Sequence, residues 1–229
     1  MSIPLIYLNG LFWPIDKAKI SILDRGFAYG DGLFETLRTY SNRIFRLDEH
    51  LDRLLKSASL IFLDLPMTRN EIRSAMYATI EINGLTDSII RITVTRGTQD
   101  PGMNINYESP PTVVIYARPI RPIPDRTYDT GIAISLFKNS APRITGIFSQ
   151  IKSCNYLSHI ILREQALKEG SFEGVMLDHQ NNVTEGTSSN IFIIKNKELK
   201  TPEVNEFVLS GVTRQVILEL AIANKIFCK

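Results

Sequence analysis

Three charged side chains stand where a polar segment of the sequence meets an apolar one. Lys152 lies between an apolar run and a segment of helical periodicity, Glu185 shortly precedes an apolar strand pattern, and Arg53 falls on a predicted helix. A lysine can act as nucleophile or base, a carboxylate can bind a polar ligand, and an arginine can bind an anion. Taken singly, each also has an ordinary interpretation, because the two cations could be solvated and Glu185 could belong to a turn.

The segment Leu209–Arg214 adds a candidate anion site. It enters a predicted helix near Thr213 through Gly211. The first N–H groups of a helix have no partners within the helix, so together with a threonine hydroxyl they are suited to binding phosphate.

Other kinds of site find no support in the sequence. The histidines are scattered and no His, Cys or carboxylate spacing is typical of a metal site, so we predict no metal. Gly26, Gly30 and Gly32 lack the dinucleotide and Walker spacings, and we expect them to serve tight turns. There is no G-x-S-x-G elbow, and Cys154 is interpreted as a small core residue.

The composition is that of a globular protein. The 229 residues are 44% hydrophobic and 22% charged, and the net charge is +2. This charge provides no basic surface for nucleic acid, and no apolar stretch approaches the ~20 residues that cross a membrane. The sequence therefore predicts neither a nucleic-acid nor a membrane partner. With two cysteines and no secretory signal pattern, it predicts a cytoplasmic protein.

The first half of the chain predicts hairpins followed by helices. Asn9-Gly10 between short apolar runs and Ser41-Asn42 between two strand patterns are typical of hairpin turns. Apolar residues with helical spacing follow over 47–58, and a capping-box pattern at Thr68 begins a second helix that Gly84 ends. The runs 89–95 and 112–117 are rich in β-forming residues.

The second half predicts another domain. The proline-rich segment 119–126 suits neither a helix nor a central strand and is interpreted as a linker between a small N-terminal α/β domain, 1–118, and a larger mixed β domain with helices, 127–229. Beyond it we expect strands near 131–136, 174–177 and 190–194. Helices are expected over 156–170 and from about 213. Because antiparallel hairpins dominate, the predicted class is α+β. The apolar residues expected to face inward from the two helices are Leu157, Ile160, Ile161 and Leu167 in the first, and Val216, Ile217, Leu220 and Ala221 in the second.

Six segments of the sequence together carry a resemblance to a known family. They are, in the family's order, DRGFAYGDGLFETLR (24–38), EHLDRL (49–54), IIRITVTRGT (89–98), IKSCNYL (151–157), VTEGTSSNIF (183–192) and LSGVTR (209–214). On these segments the chain resembles the class IV aminotransferases, the pyridoxal 5′-phosphate (PLP) enzymes of fold type IV. The resemblance implies a two-domain fold, PLP as cofactor, amino-acid and 2-oxo-acid substrates, and a homodimer.

The resemblance assigns cofactor-binding roles to individual residues. Lys152 matches the lysine that forms the Schiff base with PLP, and Glu185 matches the acid that pairs with the pyridine nitrogen. Tyr156 is similar to the tyrosine that reaches the PLP 3-oxygen, and Leu209 to the residue that packs on the ring. The residues that match the family's phosphate-binding positions are Arg53, Val212 and Thr213.

The resemblance leaves the substrate open. Residues that match substrate-contacting positions are Phe34, Thr36, Arg91, Ser188 and Ser189. Phe34 and Arg91 follow the branched-chain aminotransferase pattern, which we take as the main interpretation. Thr36 stands where those enzymes usually carry glycine and is similar to the 4-amino-4-deoxychorismate lyases, which release pyruvate and 4-aminobenzoate. The Arg-x-His pair of well-known D-amino-acid aminotransferases is absent after Thr98, although such an enzyme stays an alternative.

Family members usually continue beyond the position that corresponds to Lys229. The segment they add contributes strands, a helix and a further phosphate contact. The resemblance therefore also implies a chain that is short at its C-terminus, and an inactive truncated remnant is a further alternative.

Overall fold

The structure is a computed structural model that describes residues 3–138 and 150–228. Contacts between Cα atoms divide the chain into two compact units. The first comprises Met1–Pro122 together with Lys152–Asn155, and the second comprises Ile123–Ile151 together with Tyr156–Lys229. The predicted boundaries assigned Lys152–Asn155 to the second domain, whereas the contacts of this segment lie in the first unit. None of the helices in the described ranges is long and apolar enough to span a membrane.

The first unit is built on a six-stranded antiparallel sheet with the order β2-β1-β6-β5-β3-β4. Its strands are β1 (Leu5–Leu8), β2 (Leu11–Pro14), β3 (Gly32–Tyr40), β4 (Arg43–Ile44), β5 (Ser88–Thr95) and β6 (Thr112–Pro119). Its helices are α1 (Arg25–Tyr29), α2 (Leu47–Leu60) and α3 (Arg69–Ile82).

Local sequence signals explain most of the first unit. Asn9 and Gly10 take the positive φ angles, 48° and 95°, that a two-residue hairpin turn needs, and Ser41 and Asn42 do the same between β3 and β4. Thr68 and Glu71 form the predicted capping box at the start of α3. Both hairpins and the capped helix are thus confirmed.

The core of the first unit lies where α2 and α3 cover one face of the sheet. Strand β3 alternates across this core, so Leu33 and Leu37 are buried together with Ile90 and Ile92 of β5. The side chains that these strands direct to the opposite face are therefore available to a site.

The second unit contains two three-stranded sheets, with the orders β7-β8-β9 and β10-β11-β12. Its strands are β7 (Ile134–Phe137), β8 (Glu173–Leu177), β9 (Val183–Gly186), β10 (Ile193–Lys195), β11 (Glu198–Lys200) and β12 (Phe227–Cys228). Its helices are α4 (Arg126–Thr130), α5 (Leu157–Lys168) and α6 (Val212–Ala223). Strands β7 and β8 are parallel, with α5 between them along the chain.

The predicted inward face of α5 is wrong. Leu157 and Ile160 are 69% and 58% exposed, and Ile161 and Leu167 are exposed as well, while Ala166 is the buried residue of this helix. Apolar residues occur around most of α5, so their spacing does not identify the side that packs on the sheet. In α6 the predicted burial holds for Ala221 but not for Leu220, which is exposed.

Candidate active site

The segment that carries Lys152 pairs with the beginning of β3. The Phe34 amide donates to the Lys152 carbonyl at 3.0 Å, the Cys154 amide donates to the Gly32 carbonyl at 2.8 Å, and Ser153 forms an antiparallel bridge with Leu33. The backbone of Lys152 is therefore fixed against a central part of the first unit. Its Nζ lies 4.6 Å from the centroid of the Phe34 ring, a cation–π distance.

Three of the predicted substrate residues share a face of the sheet. Phe34 and Thr36 alternate with buried residues of β3, and Thr36 pairs with Arg91 of β5. The guanidinium carbon of Arg91 lies 3.7 Å from the Phe34 ring centroid. The first unit thus brings Lys152, Phe34, Thr36 and Arg91 together.

Arg53 is held on the opposite face of β3 by a carboxylate that the sequence did not indicate. Its Nε and Nη2 donate to the two carboxylate oxygens of Glu35 at 2.6 and 2.7 Å. His50 Nδ1 lies 2.7 Å from Glu35 Oε2. His50 and Ser57, which lie three residues before and four residues after Arg53 on the same side of α2, are buried.

Glu35 is a buried anion, 1% exposed. Burial by itself raises the pKa of this carboxyl group, but the hydrogen bonds and positive charges of Arg53 and His50 outweigh burial and lower its pKa below the ordinary value. The two hydrogen bonds from Arg53 to Glu35 fix the orientation of the Arg53 guanidinium. Glu35 lies on the same face of β3 as Leu33 and Leu37, so a carboxylate at a core position of the strand pattern is the feature by which it could have been identified.

In the second unit, Glu185 belongs to β9, a strand that the sequence analysis missed. Its Oε2 accepts a hydrogen bond of 3.2 Å from the Leu209 amide. Leu209 and Glu185, which lie far apart in sequence, are therefore neighbours. Tyr156 precedes α5, and its ring stacks on His159 with centroids 4.5 Å apart.

A second unpredicted carboxylate organises the predicted substrate residues Ser188 and Ser189. Glu173 of β8 accepts hydrogen bonds from the hydroxyls of Thr187, Ser188 and Ser189, and it forms an ion pair with Arg163 at 3.1 Å. Burial raises the pKa of Glu173, but the Thr187 hydroxyl, the Gly174 amide and the hydrogen bond and charge of Arg163 lower it overall. The loop after β9 is thus held by one carboxylate.

The residues of the predicted anion site lie at the N-terminus of α6. Gly211 is the N-cap residue and no side chain caps the helix. A Cβ at Gly211 would lie 2.1 Å from Asn190 Oδ1, so only glycine lets this backbone approach Asn190. Val212 is buried and Thr213 is exposed at the first helical positions. Before the helix, Gln150 donates to the carbonyls of Asn205 and Val208 and accepts from the Ser210 amide, which orders the preceding loop.

Residues 32–229 match the family model described as amino-transferase class IV. The chain belongs to the class IV aminotransferase family. Class IV aminotransferases are PLP enzymes. The predicted family, enzyme class and fold type are confirmed.

Known class IV aminotransferases are similar to nearly the whole chain. A protein of Methanocaldococcus jannaschii assigned as a branched-chain-amino-acid aminotransferase is 39% identical over 94% of this chain and 74% of its own length. The D-alanine aminotransferase of Bacillus licheniformis is 31% identical over 96% of this chain and 75% of its own length. The crystal structure of a branched-chain aminotransferase from Thermoproteus uzoniensis, with norvaline, superimposes with a TM-score of 0.90 at 28% identity, covering 99% of this chain and 77% of that one.

The donor set of this class IV aminotransferase fits PLP. An uncapped helix N-terminus and an oriented guanidinium suit a phosphate dianion, a carboxylate suits a protonated ring nitrogen, and a lysine amine suits an aldehyde.

Proposed function

We propose that this class IV aminotransferase binds PLP through Lys152 and transfers an amino group between an amino acid of the branched-chain type and a 2-oxo acid. The observation that carries the proposal is the pairing of the Lys152 segment with β3, which fixes the backbone of Lys152, with its Nζ 4.6 Å from the centroid of the Phe34 ring that Arg91 also contacts. A lysine with a fixed backbone is suited to covalent chemistry, because its amine then has fewer positions to occupy.

The residues divide the work of holding the cofactor. Lys152 supplies the amine that bonds to the aldehyde carbon, and Glu185 holds the proton of the ring nitrogen. The oriented guanidinium of Arg53, the Val212 amide and the Thr213 hydroxyl bind the phosphate. Tyr156 donates to the 3-oxygen, and Leu209, whose backbone amide already contacts Glu185, packs on the ring.

Catalysis by these residues is a matter of proton transfer and orientation. When bound, PLP supplies an electron sink for the bond that breaks at the substrate Cα. Lys152 Nζ carries the proton to and from that carbon, so it needs to be close and in the neutral form at that moment. By the family resemblance, the substrate contacts are assigned to Phe34, Thr36 and Arg91, which share a face of the first unit's sheet, and to Ser188 and Ser189, whose hydroxyls bond to Glu173.

Two other activities have specific support. The similarity to a D-alanine aminotransferase favours a D-amino-acid substrate as the second candidate. Thr36 favours 4-amino-4-deoxychorismate lyase activity, because a threonine at this position resembles the lyases and its side chain lies on the same sheet face as Phe34.

A substrate assay separates the three activities. Purified protein is supplied with PLP and with L-valine, L-isoleucine or D-alanine, each with 2-oxoglutarate, and separately with 4-amino-4-deoxychorismate alone. We expect glutamate to form from the L-branched-chain amino acids, and Lys152→Ala to abolish it. Activity on D-alanine alone would establish the second candidate. Pyruvate release without an oxo-acid acceptor would establish the lyase.

A homodimer is also proposed. We define the α1 surface as three apolar residues, Ile22, Phe27 and Met103. They are 78%, 69% and 83% exposed. The segment around α1 and the segment of Met103 are adjacent, because Arg25 donates a hydrogen bond to the Gly102 carbonyl and the Tyr29 hydroxyl accepts one from the Gly102 amide. An apolar patch of this kind on a globular unit is typical of an interface, and a second copy of the chain is the partner that the family resemblance implies.

The cytoplasmic location is proposed from the sequence and from the state of the thiols. Cys154 and Cys228 are both free and half-buried. Free thiols of this kind are typical of a reducing compartment. Fractionation of cells that produce the protein, followed by detection of the chain, tests this proposal.

A further inference from the structure

The turn between α1 and β3 contains Gly30, which belongs to the segment DRGFAYGDGLFETLR (24–38). The proposed function gives this glycine no role. In this turn Gly30 has a φ of 68°, a conformation that favours glycine. Asn155 Nδ2 donates to the Gly30 carbonyl at 3.2 Å. A Cβ at Gly30 would lie 2.3 Å from Asn155 Oδ1 and 2.8 Å from its Cγ. The Asn155 side chain therefore occupies space that only a glycine leaves open.

This contact completes a row of hydrogen bonds between two short segments. The carbonyls of Gly30 and Gly32 accept from Asn155 Nδ2 and the Cys154 amide, and the Phe34 amide donates to the Lys152 carbonyl. Two of these bonds use backbone groups that almost any residue could supply. The third depends on the identity of Asn155, and it lies at the end of the segment where the chain passes into α5.

We propose that Asn155 is a positioning residue for Lys152, and that its contact with Gly30 holds the Lys152–Asn155 segment against β3. This inference rests on the proposed function in one respect, namely that Lys152 is the reactive amine. The contact limits local opening of the segment, and an open segment would carry the amine away from the Phe34 ring. Asn155 acts only through the backbone of Lys152 and touches no reacting atom.

Cys154 provides a readout that does not depend on cofactor or activity. Cys154 lies between Lys152, which bonds to Phe34, and Asn155, which bonds to Gly30. Its thiol is half-buried, and its amide donates to the Gly32 carbonyl. Burial raises the pKa of this thiol, and the charges of Asp24 and Asp31 act in the same direction, against Arg91. Opening of the segment exposes the thiol and increases its thiolate fraction, so alkylation becomes faster.

The experiment compares Asn155→Ala, Gly30→Ala and the double variant in a Cys228→Ser background. The first readout is the rate of Cys154 alkylation by iodoacetamide. The second is the fraction of Lys152 that borohydride traps with PLP at limiting PLP. We expect Asn155→Ala to speed alkylation about three- to tenfold, as the loss of one hydrogen bond implies, and to lower trapping. Gly30→Ala should have a larger effect, and the double variant should be closer to wild type than Gly30→Ala, because Asn155→Ala removes the atoms that clash.

Asn83→Ala is the matched control. Asn83 also donates its amide to backbone carbonyls of the first unit, those of Leu5 and Thr79, but it does not contact the Lys152 segment. It should lower the melting temperature while leaving alkylation and trapping unchanged. The inference is overturned if Asn155→Ala leaves both readouts at the wild-type level, or if Asn83→Ala changes them equally. If wild type traps no PLP at Lys152, the proposed function fails, whereas the alkylation rates still decide whether Asn155 holds the segment.

Discussion

At the scale of single residues, two buried carboxylates do much of the positioning. Glu35 orients Arg53 from the core side of β3, and Glu173 gathers the hydroxyls of Thr187 and its neighbours. Family motifs predict cofactor-binding roles for Lys152 and Glu185. The motifs did not identify Glu35 and Glu173, because the residues that each of these carboxylates binds are distant from it in sequence. Only the fold brings them together.

We expect Glu35→Gln to lower the free energy of unfolding at pH 7 by about 3–5 kcal/mol, since it leaves a buried guanidinium without its anion. The pKa of Glu35 is lowered by folding, so its stabilisation is present in full above the ordinary pKa of the carboxyl group and is lost as the pH falls below it, through the lower pKa of the folded state. Urea unfolding of wild type and variant from pH 7 to pH 3 should therefore show a difference that narrows at the acid end, below the ordinary pKa.

Glu49→Gln is the control for this prediction. Glu49 forms an equally short ion pair with Arg46, at 2.6 Å, but the side chains of this pair are far more exposed, 34% for Arg46 and 43% for Glu49. An exposed pair contributes about 0–1 kcal/mol, so this variant should unfold almost like wild type. Equal losses in the two variants, or a difference for Glu35→Gln that does not depend on pH, would refute the role given to Glu35.

At the scale of elements, local signals were read correctly and non-local ones were not. The Asn9-Gly10 turn and the Thr68 capping box are complete within a few residues, so the sequence predicts them. Strand β9 was missed because its polar residues, among them Glu185, look like a turn until β8 pairs with them. The face of α5 could not be chosen, since its packing depends on β7 and β8 rather than on its own periodicity.

The start of α6 gives a prediction at this scale. Thr213→Ala should weaken PLP binding about 10- to 100-fold, the range expected for one hydrogen bond of about 1.5–3 kcal/mol to a charged group. The affinity for pyridoxal, which has no phosphate, should not change. Fluorescence titration with the two vitamers measures both affinities.

Thr213→Ser keeps the hydroxyl at the same helical position and should bind PLP like wild type. A Thr213→Ala variant that loses affinity for pyridoxal and PLP equally would show that Thr213 does not bind the phosphate.

At the scale of the whole molecule, the chain spans about three quarters of the length of its curated relatives, 74% and 75% for the two proteins compared above. Its residues 32–229 match the family model, so the fold type and the enzyme class follow from the sequence. The choice of substrate does not follow, because the relatives include both a protein assigned as a branched-chain-amino-acid aminotransferase and a D-alanine aminotransferase.

The α1 surface gives the prediction for assembly. Wild type should elute with twice the chain mass of 25.9 kDa in light scattering, and Phe27→Asp should shift it towards the monomer, because a charge would be buried in an apolar contact. Tyr128→Asp changes an exposed aromatic residue of the second unit and serves as the control. A monomeric wild type, or a dimer that Phe27→Asp leaves intact, would contradict the prediction.

The most direct test of the central claim is to locate the lysine that bonds to PLP. Protein incubated with PLP is reduced with borohydride, digested and analysed by mass spectrometry. We predict the phosphopyridoxyl group on the peptide that contains Lys152, together with a visible absorption band that Lys152→Ala removes. Absence of the group from Lys152, or its attachment to another lysine with the band retained in Lys152→Ala, would contradict the account.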